Sequence, residues 1–270
     1  MKMVMPWGTL SAVDEGRGPV VVLLHSLAQS AELWRPLIDE LSPSFRVIAP
    51  DARGHGSSTW DGNPFTVADL AEDVASLIGH LDAGPVSVVG MSMGGCTAIA
   101  LASRHPELVD RLVLADTTAD YGPDKAEAWE TRASNASSKP REQQIEFQRD
   151  RWFSPAFVDA QPDEVQRVAE IFIKTDSEAH AAACRALGQF DDTDRLAKVV
   201  QPTLLLVGED DYATPPDMAG ALHQALPDSR LEILPQTRHL SLIENRRTWS
   251  MLRDHLQAGD SPDFGGASTR

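Results

Sequence analysis

The sequence predicts an α/β protein, a mostly parallel, doubly wound sheet carrying an inserted helical lid. Short apolar runs alternate with helical patterns through the first 116 residues, the runs vanish between about residues 119 and 190, and then they resume. Residues 20–24, 47–49, 86–89 and 112–114 read as strands, each apolar throughout and so buried on both faces. Leu33, Trp34, Leu37, Ile38 and Leu41 mark one amphipathic helix, and Val67, Leu70, Val74, Leu77, Ile78 and Leu81 mark another. The following segment, 119–190, is rich in charge and Gln, with helical spacing at Val165, Val168, Ile171 and Phe172. Strands return at 203–207 and 231–234, and a last helix presents Trp249, Leu252 and Leu256 on one face. The expected organisation is therefore a core of residues 1–118 and 191–257, a helical lid of residues 119–190, and a flexible tail of residues 258–270 with little to bury.

Composition narrows the function classes. The chain has 270 residues, 24 Lys and Arg against 40 Asp and Glu, and a formal charge of −16. Such a surface repels polyphosphate, so neither nucleic acid nor an anionic membrane is expected as a partner. An anionic small molecule would need a local cationic pocket. Cys96 and Cys184 form neither a CxxC pair nor a disulfide framework, which fits a reducing cytoplasm. The N-terminus has no apolar signal stretch, and no apolar run approaches the ~20 residues of a membrane helix. Oligomeric state is not legible.

The chemistry-bearing motif is Gly90-Met91-Ser92-Met93-Gly94-Gly95, directly after the strand at 86–89 and before a helix-forming run. A G-x-S-x-G turn in that context places a serine on a tight strand-to-helix elbow, beside backbone N–H groups suited to an oxyanion. A serine hydroxyl is a weak nucleophile and needs a base oriented by a third group. Loops after the two later strands supply them: Gly208-Glu209-Asp210-Asp211 and Arg238-His239-Leu240 lie at one rim of the sheet, in the order Ser, acid, His. Asp116, just after the strand at 112–114, is the rival acid.

With these residues in place the chain resembles the α/β-hydrolase superfamily from about residue 19 to residue 256. The resemblance assigns Ser92 as nucleophile, Asp211 as acid in a G-x-x-D pattern, and His239 as base. It also implies an oxyanion hole from the N–H groups of Met93 and Leu27. The loop Leu24-His25-Ser26-Leu27 departs from the usual His-Gly and is similar to that of 3-oxoadipate enol-lactonases, with His25 in a supporting role. The Asp51-Ala52-Arg53-Gly54-His55-Gly56 loop matches an architectural turn of the superfamily. Ser at position 92 excludes the branches that use an aspartate nucleophile.

The lid extends the resemblance. Ala128-Trp129-Glu130-Thr131-Arg132 and Asp150-Arg151-Trp152-Phe153-Ser154-Pro155 look like the lid of the enol-lactonases, whose substrate is a lactone with a free carboxylate. Trp129, Arg132 and Trp152 are the candidate substrate-binding residues, unless Arg132 pairs with Glu127 or Glu130 on its own helix. The expected activity is cofactor-free hydrolysis of a carboxylic ester or lactone, with 3-oxoadipate enol-lactone first. A general carboxylesterase or other lactonase, a cofactor-free haloperoxidase or perhydrolase, and a non-catalytic small-molecule receptor of hydrolase fold are the alternatives. No metal or nucleotide motif occurs, and His80, His105, His180, His223 and His255 are expected to be solvated or packed.

Overall fold

In a computed structural model, residues 1–257 are described. Tail residues 258–270 lie outside them. The strands are β1 (Lys2–Met5), β2 (Gly8–Gly16), β3 (Val20–Leu24), β4 (Arg46–Pro50), β5 (Val86–Met91), β6 (Val109–Ala115), β7 (Thr203–Gly208) and β8 (Ser229–Leu234). They form one sheet in the order β1-β2-β4-β3-β5-β6-β7-β8, parallel from β4 to β8.

The antiparallel pair β1 and β2 is absent from the sequence-based expectation. Its strand Gly8–Gly16 mixes apolar and acidic residues because it lies at the margin of the sheet, so it lacks the continuous apolar run that betrays the central strands.

The core strands alternate their side chains between two apolar layers. Val22 and Leu24 of β3 pack in one, and Val21 and Leu23 in the other. The first layer is covered by α2 (Val67–Leu81) and α3 (Met93–Arg104), and the second by α1 (Arg35–Leu41) and the C-terminal helix described below. The helix begun at Leu33 opens as a single 3₁₀ turn, Ala31–Trp34, before α1. Thr66 and Asp69 form a capping box that fixes the start of α2.

Between β6 and β7 the chain forms α4 (Lys125–Ser138), α5 (Arg141–Trp152), α6 (Pro155–Ala160), α7 (Pro162–Lys174) and α8 (Ser177–Gly188). Ala-rich α8 packs closely on α4, with Ala133, Ala136, Ala181 and Ala183 buried. Both ends of this insertion are tied together: Asp120 bridges Asp191, and Lys125 bonds Asp120 and the Phe190 carbonyl. After β7 follow α9 (Pro216–Ala225), α10 (Ser241–Glu244) and α11 (Arg247–Gln257). Among the described residues no helix is long and apolar enough to cross a membrane.

Candidate active site

The elbow between β5 and α3 is built by close backbone approach. Ser92 sits at φ +56°, ψ −118°, a strained conformation for a residue with a side chain. A Cβ on Gly90 would lie 2.3 Å from the Gly94 carbonyl oxygen, and one on Gly94 only 2.0 Å from that of Leu24. Those contacts explain both glycines and press the elbow against the loop after β3.

Ser92, Asp211 and His239 converge from three loops at the carboxyl edge of the sheet. Ser92 Oγ lies 2.9 Å from His239 Nε2, and His239 Nδ1 lies 2.8 Å from Asp211 Oδ2. Because a carboxylate only accepts, Nδ1 carries the ring proton and Nε2 presents its lone pair to the Ser92 hydroxyl. Asp211 also accepts from the N–H groups of Ala213 (2.8 Å) and Thr214 (3.1 Å) and from the Thr214 hydroxyl (2.8 Å). Burial alone would raise its pKa, but the electrostatic interaction with His239 and the bonds from His239 and Thr214 outweigh it and hold the carboxyl below its ordinary value. Asp211 does not cap α9, whose N-terminal neighbour is Pro215, and His239 is buried, not a surface histidine.

The rival acid, Asp116, goes elsewhere. It is fully buried, and its two oxygens accept the N–H groups of Gly208 (3.2 Å) and Ser241 (2.9 Å). It fastens β7 and α10 to the end of β6.

Leu27 lines the cavity beside Ser92, and Met93 opens α3, where its N–H has no carbonyl a turn earlier in the helix. Among the described residues the Leu27 N–H donates to no protein acceptor. His25 sets this loop: the Ala52 N–H donates to its Nε2 (3.0 Å), and its Nδ1–H donates to the Ser26 carbonyl (2.8 Å). Burial lowers its pKa to about 4, so it is neutral and structural. In the Asp51 loop, Asp51 accepts from Ala31 and Ser57 N–H groups, and Arg53 pairs with Asp73 at 2.6 Å; both roles are architectural.

A cavity of about 400 Å³ lies between Ser92, His239 and the helical insertion. Trp129, Arg132 and Trp152 all line it. Arg132 stacks on Trp129, 4.6 Å from the ring centroid, and does not pair with Glu127 or Glu130; Glu130 instead holds Arg185 at 2.9 Å. Arg151 lines the same cavity, a group that sequence reasoning missed even though its neighbour Trp152 was singled out. Burial, and then the charge of Arg132, lower its pKa to about 10. Among the described residues neither guanidinium has a carboxylate partner, and no Asp or Glu lines the cavity. In a chain of charge −16 this is a confined positive pocket.

Known proteins resemble the chain over most of its length. The sequence model for the alpha/beta hydrolase fold matches residues 19–246. A 3-oxoadipate enol-lactonase of Acinetobacter baylyi is 28% identical over 232 residues, 86% of this chain and 86% of that enzyme. The crystal structure of an enol-lactonase from Burkholderia xenovorans is 30% identical, with a TM-score of 0.87 over 92% of this chain and 96% of that one. A thermophilic esterase from Thermogutta terrifontis, solved with malate bound, is 28% identical, with a TM-score of 0.89 over 96% of this chain and 98% of that one.

Proposed function

Because the chain belongs to the alpha/beta hydrolase fold family, we propose that it is a serine hydrolase of carboxylate-bearing lactones, with 3-oxoadipate enol-lactone as its substrate. The observation that carries the substrate choice is the cavity, which sets Arg132 and Arg151 against Ser92 with no acidic side chain in its lining. A carboxylate arm offers those guanidinium groups the paired acceptor they lack among the described residues. The enol-lactonases of Acinetobacter baylyi and Burkholderia xenovorans support the same choice.

His239 takes the Ser92 proton as Oγ attacks the ring carbonyl, and Asp211 stabilises the imidazolium that forms. The N–H groups of Met93 and Leu27 hold the oxyanion. The ring C–O bond then breaks, and His239 returns the proton to the departing enol oxygen, which leaves more readily than a plain alkoxide. Water, deprotonated by His239, attacks the acyl carbon; the bond to Ser92 Oγ then breaks, Oγ takes back the proton from His239, and the product leaves with a second carboxylate. Trp129 and Trp152 wall the cavity around the ring. We place this reaction in aromatic-acid breakdown in the cytoplasm, a setting in keeping with two buried, unbridged cysteines.

The test is kcat/KM for 3-oxoadipate enol-lactone beside a neutral 4-nitrophenyl ester, with Ser92→Ala as control. Strong preference for the lactone, lost with Ser92, is expected. Preference for the neutral ester would favour a general carboxylesterase, in line with the likeness to the thermophilic esterase of Thermogutta terrifontis, and an undiminished rate in Ser92→Ala would remove the serine mechanism.

A further inference from the structure

Arg141, at the start of α5, and His180, in α8, form a buried pair against the cavity. Arg141 Nη1 lies 2.5 Å from His180 Nδ1, its Nη2 donates to the Phe172 carbonyl at 2.5 Å, and its guanidinium stacks 3.7 Å from the Phe172 ring centroid. A guanidinium has donors and no acceptor. His180 Nδ1 must therefore accept, and the single ring proton resides on Nε2.

That proton has a destination in the cavity. His180 is 4% exposed and lines the same space as Arg132 and Trp152, and among the described residues its Nε2 has no hydrogen-bond partner. Among the described residues no carboxylate bonds the ring: Asp176, one turn earlier, accepts the Ala179 N–H. Burial, followed by the charges of Arg141, His55 and Arg132, keeps the imidazole well below its ordinary pKa, so the donor stays neutral and its tautomer fixed. A neutral donor adds a hydrogen bond to an anion without a third positive charge beside Arg132 and Arg151.

We infer that His180 is a specificity-determining residue whose Nε2–H donates to an oxygen of the substrate's carboxylate arm, and that Arg141 is the positioning residue that fixes its tautomer. This rests on the reading that the cavity takes a carboxylate-bearing substrate.

The test uses the intact enzyme, with adipate as a carboxylate probe competing against 4-nitrophenyl acetate. Loss of one hydrogen bond to a charged acceptor should raise the adipate Ki by about tenfold or more in His180→Phe. His180→Gln, which restores an N–H donor, should recover most of it, and in both variants kcat/KM for the neutral ester should fall less than adipate Ki rises. Side-chain ¹⁵N spectra of the wild type should show Nδ1 unprotonated and Nε2 protonated at neutral pH, with no protonation of the ring where a free histidine begins to take up its proton. Adipate should shift the Nε2–H resonance, and Arg141→Met should release the ring to both tautomers. An unchanged Ki in His180→Phe, a proton on Nδ1, or no adipate effect on the wild type overturns the assignment; should His180→Phe not fold, the wild-type spectra decide. No turnover of the enol-lactone, with this adipate pattern intact, would count against the proposed substrate and leave His180 in place. Turnover with no His180 effect would do the reverse.

Discussion

Asp116 and Asp211 follow adjacent strands at one rim of the sheet, yet only Asp211 touches His239, at 2.8 Å, while Asp116 spends both oxygens on the backbone N–H groups of Gly208 and Ser241. The two acids therefore divide the work of orienting His239 and of holding the strand ends and loops around it. Asp211→Asn should lower kcat by about 10³–10⁴-fold, because an amide no longer fixes the His239 tautomer. Asp116→Asn should cost about 1–3 kcal/mol of stability, since an NH₂ group then faces a buried N–H, with the smaller loss of kcat. Steady-state rates and urea unfolding of both variants decide it; the reverse ranking would move the acid to Asp116.

Arg132 stacks on Trp129 and has no carboxylate partner among the described residues, so its removal orphans no acid among them. Arg132→Ala should reduce kcat/KM for a carboxylate-bearing lactone by about thirtyfold or more, with a far smaller fall for a neutral ester. Equal losses on the two substrates would exclude Arg132 from the arm site.

Gly94 has no room for a methyl group. Its added Cβ would lie 2.0 Å from the Leu24 carbonyl oxygen, a backbone atom that moves only with the loop bearing Leu27. Gly94→Ala should lower stability by at least about 2 kcal/mol and depress kcat through the displaced loop, measurable by thermal unfolding and single-turnover kinetics. Unchanged values for both would mean that the elbow yields without disturbing the loop.

His25 and His55 lie with ring centroids 5.3 Å apart and are buried neutral, their pKa values lowered by burial to about 4 and about 3. The unfolded chain binds their protons below about pH 6.5, whereas the folded chain does not until the lower values are reached. Their contribution is therefore complete above about pH 6.5 and is lost as pH falls toward about 4, at about 1.4 kcal/mol per pH unit for each ring. Urea unfolding of wild type and His55→Gln between about pH 7 and about pH 4 should give the variant a slope shallower by one such increment. Parallel curves would mean that His55 is protonated in the folded protein.

The sequence discloses the elbow and its partners because their requirements are local. Ser92 needs glycines at fixed offsets, and Asp211 and His239 each need only a strand end behind them. The central strands are legible for the same reason, being apolar on both faces. Strand β2 is not, because Ala12 and Val13 share a marginal strand with Asp14 and Glu15. Arg151, quoted only as part of a lid motif, and His180, expected only to be solvated or packed, are not legible as cavity residues for a different reason. They sit in helices whose composition resembles that of any charged or Ala-rich surface helix, and only the packing of α4, α5, α7 and α8 brings these two side chains into the lining of the same cavity as Ser92. Nothing in the spacing around Arg132 distinguishes a partnered arginine from a free one, since Glu130 becomes unavailable only through Arg185, far along the chain.

Glu244 joins the two halves of this site. One of its oxygens accepts the Arg238 N–H, adjacent to His239, at 2.8 Å, and the other accepts the Ser154 N–H, just past α5, at 2.9 Å, while the Leu240 N–H bonds the Trp152 carbonyl at 3.1 Å. The segment after α5 and the loop that carries His239 are thus clamped by one carboxylate. Moving the end of α5 away from the sheet requires either breaking that clamp or shifting the His239 loop with it, so the position of the imidazole is mechanically tied to the helices that wall the cavity.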